Sequence, residues 1–310
     1  MRILIAVMLF ALVGVSGVSP AVSDEAGFST YGLGSSAFDA GVTPPAGTYI
    51  TFGSGFYSGK IGGAVTLGDV TLNAGARVDF FQAFINGLYV PDQKVLGGNF
   101  GLSVTIPTGH IRMNAEVSAP PLPAVERETS GWGLGDITTK AQLGWQVGNF
   151  AHTAYVQVVA PSGRYAVGFQ PDIGLNRPGI DTGWSFTWTE KASKFQVNGK
   201  LGVTFNFENT LTNYQSGTDF HFEWAVGQEV CPGLVVGVGG YDFRQLTADS
   251  GSGAILGPFK GTVDAIGPAF SYTTLIDKTP VILSGHFYQE FNAKKRWEGN
   301  SSMLSATVRF

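Results

Sequence analysis

Two short stretches of the chain carry residue types that proton-transfer or hydrolytic chemistry uses. His221 and Glu223 are spaced two apart, as are His286, Tyr288 and Glu290, and Ser284 stands two residues before His286. On an extended chain a spacing of two puts side chains on one face. Imidazoles and carboxylates, together with Lys200 on another alternating stretch, would then share one polar surface. A hydrolase needs its Ser hydroxyl within hydrogen-bond reach of the His. Ser284 and His286 on one strand would be about 7 Å apart, too far for direct contact. The pattern favours a polar lining that filters solutes or anchors another segment, and no catalytic residue is assigned. None of the four histidines stands at metal-ligand spacing from another His, a Cys or a carboxylate cluster, so neither a metal nor another cofactor is implied. Gly131-Trp132-Gly133-Leu134-Gly135-Asp136 has the glycines of a nucleotide-binding loop. No helical pattern follows it, so it reads as a loop end and strand start.

The elements that must position these residues are β-strands. From Phe195 to Glu208, Phe195, Val197, Leu201, Val203, Phe205 and Phe207 fall on one face, and Gln196, Asn198, Lys200, Thr204 and Asn206 on the other. Phe220, Phe222 and Trp224 likewise oppose Asp219, His221 and Glu223, and Trp184, Phe186 and Trp188 oppose Ser185 and Thr187. The apolar face is rich in Phe and Trp, which suits a lipid-facing barrel wall with aromatic girdles around a wet lumen. About twelve strands can be read: 49–59, 73–90, 94–107, 134–147, 150–161, 181–190, 195–208, 218–230, 234–246, 259–274, 280–292 and 301–310; ten to fourteen are compatible with the pattern. Short links (91–93, 148–149, 191–194, 231–233, 275–279) alternate with long ones (60–72, 108–133, 162–180, 209–217, 247–258, 293–300). That is the turn-and-loop rhythm of an outer-membrane barrel. Since open sheet edges are not tolerated in lipid, the strands must close. The fold class expected is all-β, a transmembrane antiparallel up-and-down barrel over residues 49–310.

Composition agrees. Glycine fills 44 of 310 positions, about twice the usual share, and charged residues only 14% against the roughly 25% of soluble domains. Aromatics make up 13%, and mean hydropathy is +0.13. A chain this aromatic and this poor in charge is not disordered. Outside the N-terminus no apolar run approaches the length of a spanning helix. With 19 basic against 23 acidic residues, the chain lacks the basic face that nucleic acid requires. Cys231 is the single cysteine, so no internal disulfide can form. Arg2, the apolar run Ile3–Val18 and small residues ending at Ser23 form a Sec signal peptide, Met1–Ser23, addressed to the bacterial outer membrane.

Residues 24–48 lack alternation. Either they form a flexible periplasmic leader, or they fold into the lumen as a plug held by Tyr31, Phe38 and Asp39. Partners for such a plug would be Lys200, His221, Glu223, His286 and Tyr288, with Glu290 on the same lining. Leu304, Ala306 and Val308 alternate up to a terminal Phe310, the form of a recognition signal for the barrel assembly machinery. His152, near a short turn, suits the membrane interface. Trp132, Tyr165, Phe169 and Trp297 in the loops are candidates for an external capture surface.

Several motifs resemble a known family in order and spacing. Gly133-Leu134-Gly135-Asp136, Leu143-Gly144-Trp145 and Pro161-Ser162-Gly163-Arg164-Tyr165 look like the first half of the MetA-pathway of phenol degradation family. Tyr214-Gln215-Ser216-Gly217, Asp219-Phe220-His221 and the run from Gly239 to Gly251 look like its second half, and Gly41–Tyr49 resembles its N-terminal motif. The chain is also similar to the SphA-type outer-membrane proteins in that grouping. The resemblance implies an outer-membrane barrel associated with aromatic-compound catabolism and carries over no catalytic residue. Transporters of the FadL and TodX kind offer a mechanistic analogy, although their Asn-Pro-Ala motif is missing here. The expectation is a channel for small hydrophobic or aromatic solutes, in contact with outer-membrane lipid and lipopolysaccharide. A general diffusion porin, or a structural or adhesive envelope protein, is the alternative.

Overall fold

A computed structural model describes residues 23–67, 70–118, 123–167, 171–255 and 257–310. The expected signal peptide therefore lies outside the described residues except for Ser23, and Phe169 lies outside them too. The strands are β1 (Gly47–Leu67), β2 (Val70–Val90), β3 (Lys94–Val95), β4 (Gly98–Ser118), β5 (Val125–Leu134), β6 (Thr138–Val147), β7 (Phe150–Val159), β8 (Gly179–Thr189), β9 (Phe195–Asn206), β10 (Asp219–Cys231), β11 (Leu234–Gln245), β12 (Thr262–Ile276), β13 (Thr279–Lys294) and β14 (Glu298–Arg309). No α-helix occurs among the described residues.

Every pairing is antiparallel, and the sheet closes into a barrel of twelve strands. The seam is β1 on β14, in register from Tyr49 against Arg309 to Lys60 against Glu298. β3 is a two-residue extension of the turn before β4. β5 and β6 occupy one position in the wall: β4 pairs with β6 over Asn99–Thr105 and with β5 over Thr108–Val117. Gly135-Asp136-Ile137 breaks that position, and the Gly135 N–H still donates to the Pro107 carbonyl at 2.9 Å.

Three of the expected long loops are largely strand. Residues 60–72 continue the β1–β2 hairpin to Leu67 and Val70, residues 108–133 fall mostly in β4 and β5, and 293–300 shrinks to the link between Lys294 and Glu298. A strand needs about 9–11 residues to cross a bilayer, so the 21-residue β1, β2 and β4 project well beyond it. Alternation weakens there because water wets both faces, which is why these extensions look like loops in the sequence. The short links are tight turns. Asp277 and Lys278 both have positive φ, the geometry that matches the twist of a two-residue hairpin.

Side chains alternate as the sequence implies. On β9, Leu201 and Phe205 are exposed while Asn198, Lys200, Thr204 and Asn206 are buried. On β10, Asp219, His221 and Glu223 are buried, and Phe220, Phe222 and Trp224 are half-buried on the outside. The exposed Phe52, Phe56, Ile106, Phe287 and Leu304 give the exterior an apolar surface too continuous for water and suited to lipid. Rings gather at the turn end, where Trp145 stacks on His152 at 5.1 Å and His152 lies 6.2 Å from Trp184. A second group on the outer face joins His110 to Trp132 at 4.7 Å and Trp132 to Phe81 at 6.3 Å.

Candidate functional site

The barrel interior is the site, and residues 23–46 run through it from the loop end to the turn end. At the loop end the Ser23 N–H donates to the Lys295 carbonyl. Asp24 is fully buried and pairs with Arg296 at 2.8 Å. Burial raises the Asp24 carboxyl above its usual range, and the Arg177 and Arg296 guanidiniums pull against that shift. The Glu25 carboxylate accepts from Asn209 at 2.8 Å, Thr212 at 2.7 Å and the Tyr165 hydroxyl at 3.2 Å. Burial, with Glu25 beside it, pushes the Tyr165 hydroxyl up to about 12. Arg177, wholly buried, donates to Thr30 at 2.9 Å, to Ser216 at 2.6 Å and to the Phe28 carbonyl.

At mid-height the segment meets the lining residues singled out in the sequence. The Tyr31 ring stacks on His221 with centroids 3.6 Å apart and planes at 9°. Lys200 Nζ sits 4.8 Å from the centroids of both Tyr31 and Tyr155. Glu223 Oε1 accepts the Gly34 N–H at 2.8 Å and the Ser35 N–H at 3.2 Å. Gly34 also packs on His286, whose ring stacks on Tyr288 at 4.1 Å. Glu290 accepts from the Tyr241 and Tyr57 hydroxyls at 2.6 and 2.7 Å. Room for this packing comes from missing side chains: a Cβ at Gly202 would lie 2.6 Å from His221 Nε2, and one at Gly227 would lie 2.4 Å from the Phe38 ring.

Nearer the turn end, the Gly41 N–H donates to Thr187 at 3.0 Å. Thr43 Oγ1 lies 2.9 Å from Thr153 and accepts from Gln142 at 3.0 Å. Asp39 meets none of its expected donors. It sits exposed in a left-handed conformation (φ 55°) beside the turn-end residues Asn149 and Lys191. A bond from Asp39 to one of the lining donors is the expectation, but the chain between Tyr31 and Asp39 descends past them.

Several partners carry no local signature. Asp181 holds His221 Nε2 at 2.9 Å and accepts from Thr204 at 2.8 Å. Inward parity with Ser185 and Thr187 points Asp181 into the lumen, and that was the available signal. Arg177, Arg296 and Asn209 lie in or beside loops, where no period exists to read. Ser284 bonds Ser305 at 2.8 Å, not His286. The three described aromatics of the expected capture surface do not come together. Trp132 is exposed on the outer face, Tyr165 anchors Glu25, and Trp297 is buried with its indole N–H on the Ala26 carbonyl at 2.9 Å.

Residues 23–46 bear mainly on β8–β14. Beside them a cavity of about 710 Å³ runs along β1, β2, β4, β6 and β7, lined there by Phe84, Asn86, Ser103, Thr105, Lys140 and Gln157, and it reaches round to Ser271, Ser284 and Ser305 on β12–β14. Asn86 donates to Thr105 at 2.8 Å across this wall.

Among solved structures, the COG4313 outer membrane channel from Pseudomonas putida F1 is similar at 15% identity and a TM-score of 0.66, over 88% of this chain and 98% of that one. The translocator domain of autotransporter NalP from Neisseria meningitidis matches at 11% identity and a TM-score of 0.42, over 86% and 90%. The CymD monoaromatic hydrocarbon channel matches at 11% and 0.42, over 86% and 89%. No curated protein matches the chain in sequence. The fold is that of an outer-membrane barrel, and residues 58–306 match the family model described as MetA-pathway of phenol degradation. The chain belongs to that family.

Proposed function

We propose that the protein is an outer-membrane channel for uptake of small hydrophobic or aromatic compounds, with residues 24–48 as a lumen plug. The observation that carries this reading is the divided interior. One segment fills one side through buried polar and aromatic contacts, and the cavity beside it combines Phe84 and Leu88 with Asn86, Ser103 and Thr105. The lining mixes aromatic and aliphatic side chains with hydroxyls and amides, which gives a small aromatic solute both an apolar surface and polar groups that orient it. The family's association with phenol degradation and the channel named among the similar structures support the same reading.

The protein acts as a conduit rather than an enzyme. His221 is capped by Tyr31 and held by Asp181, and Ser284 is turned to Ser305. Met1–Ser23 directs export, and Phe310, exposed at the end of β14, serves as the signal to the assembly machinery. The apolar exterior contacts lipid and lipopolysaccharide. Reconstitution tests the function. A plugged hydrophobic channel gives low ion conductance in planar bilayers yet speeds entry of benzyl alcohol into liposomes. Steady high conductance would make it a general porin, and neither activity would leave a structural role.

A further inference from the structure

The charges inside the barrel are unequally committed. Asp181 and Glu223 are buried, each 1% exposed, with Asp181 Oδ1 on His221 and Thr204 and Glu223 Oε1 on the backbone of Gly34 and Ser35. Lys200 faces Glu223 across the β9–β10 pair and lies over two rings. Toward the ends of the cavity, Asp136 accepts the Gly163 and Leu175 N–H groups, and Glu290 accepts two tyrosine hydroxyls. Lys140 differs from all of these. It lines the cavity, and among the described residues it has no hydrogen bond, ion pair or ring contact. The charged groups that act on it are Lys200 and Asp181.

Its surroundings have a direction. Lys140 stands level with Ser103 on β4 and with Gln157 on β7, and Ser103 stands level with Leu88 on β2. Leu88 and Phe84, both on the inward face of β2, line the same cavity. With neighbouring strands 4.7–4.9 Å apart, the apolar stripe of β2 lies about 9–10 Å from the ammonium-bearing strand. A single aromatic ring with an acid group fits that separation once the lysine stem is counted. Ser103 on β4, between them, and Gln157 on β7, on the other side of Lys140, are neutral donors suited to a carboxylate.

Building on the uptake reading, we propose that this wall is a binding slot for small aryl carboxylates, with Lys140 holding the carboxylate and Leu88 and Phe84 the ring. An ammonium with no partner of its own, facing a cavity whose carboxylates Asp136, Asp172 and Glu290 are bonded elsewhere, is a charge-assisted donor awaiting an anionic oxygen. The β2 stripe restricts that oxygen to a ligand with an apolar body.

Calorimetry on the full-length protein in detergent, with benzoate, benzamide and acetate as probes, tests the slot. Benzoate should bind at least about tenfold tighter than either of the others. Lys140→Met should bring benzoate to the benzamide level, and Lys140→Arg should largely restore it. Leu88→Ser should weaken benzoate and leave acetate unchanged, which keeps the test open if Lys140→Met does not assemble. Equal binding of benzoate and benzamide, acetate binding as well as benzoate, or an unaffected Lys140→Met would each overturn the slot. Entry of benzyl alcohol into proteoliposomes reads the uptake function separately. Entry without benzoate selectivity removes only the slot, whereas no entry removes the channel reading itself.

Discussion

The two sides of the barrel interior are built from the same alternating strands but are used in opposite ways. Along β8–β14 the inward residues are packed as a protein core is packed. His221, Phe243, Val263 and Tyr288 are fully buried, Asp24 is paired with Arg296, and Asp181 bonds His221. Along β1, β2, β4, β6 and β7 a stretch of inward residues, Phe84, Asn86, Thr105 and Lys140 among them, lines the cavity, and Asn86 bonds Thr105 across strands, while Val78 and Ile111 are packed. The packed side holds its charges through fixed partners, ionic for Asp24 and neutral for Glu223, Glu290 and Arg177, and loss of a partner strands a buried charge. The open side leaves Lys140 uncommitted. A channel that carries a segment in its lumen needs both: one wall to hold the segment in place, and another to leave a path beside it.

The largest test of this contrast removes the packed side's occupant. Deleting Asp24–Ala40 should leave a heat-modifiable barrel with severalfold higher single-channel conductance, because the plug cross-section becomes open lumen. Unchanged conductance would mean that the segment does not limit the path. Next comes Arg296→Met, which leaves Asp24 buried without its partner. Breaking such a pair costs about 3–5 kcal/mol. Limited proteolysis should then cut the N-terminal segment while the barrel remains intact.

The outside of the two halves should behave alike, which provides a control. Leu201→Arg on the packed half and Ile106→Arg on the open half should each cost about 2–4 kcal/mol near the midplane, visible as reduced assembly. Phe205 lies one residue from the loop end of β9, where the cost falls to about 0–1 kcal/mol, so Phe205→Arg is the mild variant. Its neighbour Asn206 is not a free lumen position, because it bonds Thr30, Gly217 and Asp219. The smallest effect belongs to the open wall. Asn86→Ala removes a water-accessible hydrogen bond worth about 1 kcal/mol or less. Thermal stability should barely move, and a large loss would show that the open side is in fact a packed one.

Much of this was already written in the chain. Period-two alternation is a local property, and it assigned Leu201 and Phe205 outward and Lys200, His221 and Glu223 inward before any contact was known. The strand count followed from the same pattern, and closure followed from the cost of unpaired backbone in lipid. Where water wets both faces, as in the upper parts of β1, β2 and β4, the period fades, and strand passes for loop. The plug's composition hinted at a place in the lumen but not at its path. Asp24 meets Arg296 across 272 positions of sequence, and Tyr31 stacks on His221 and not on another ring of the same lining. Only the tertiary structure decided these pairings, and with them which wall stayed open to expose Lys140. Each depends on the register in which distant segments settle against one another, whereas a sequence pattern encodes only which face of its own strand a residue occupies.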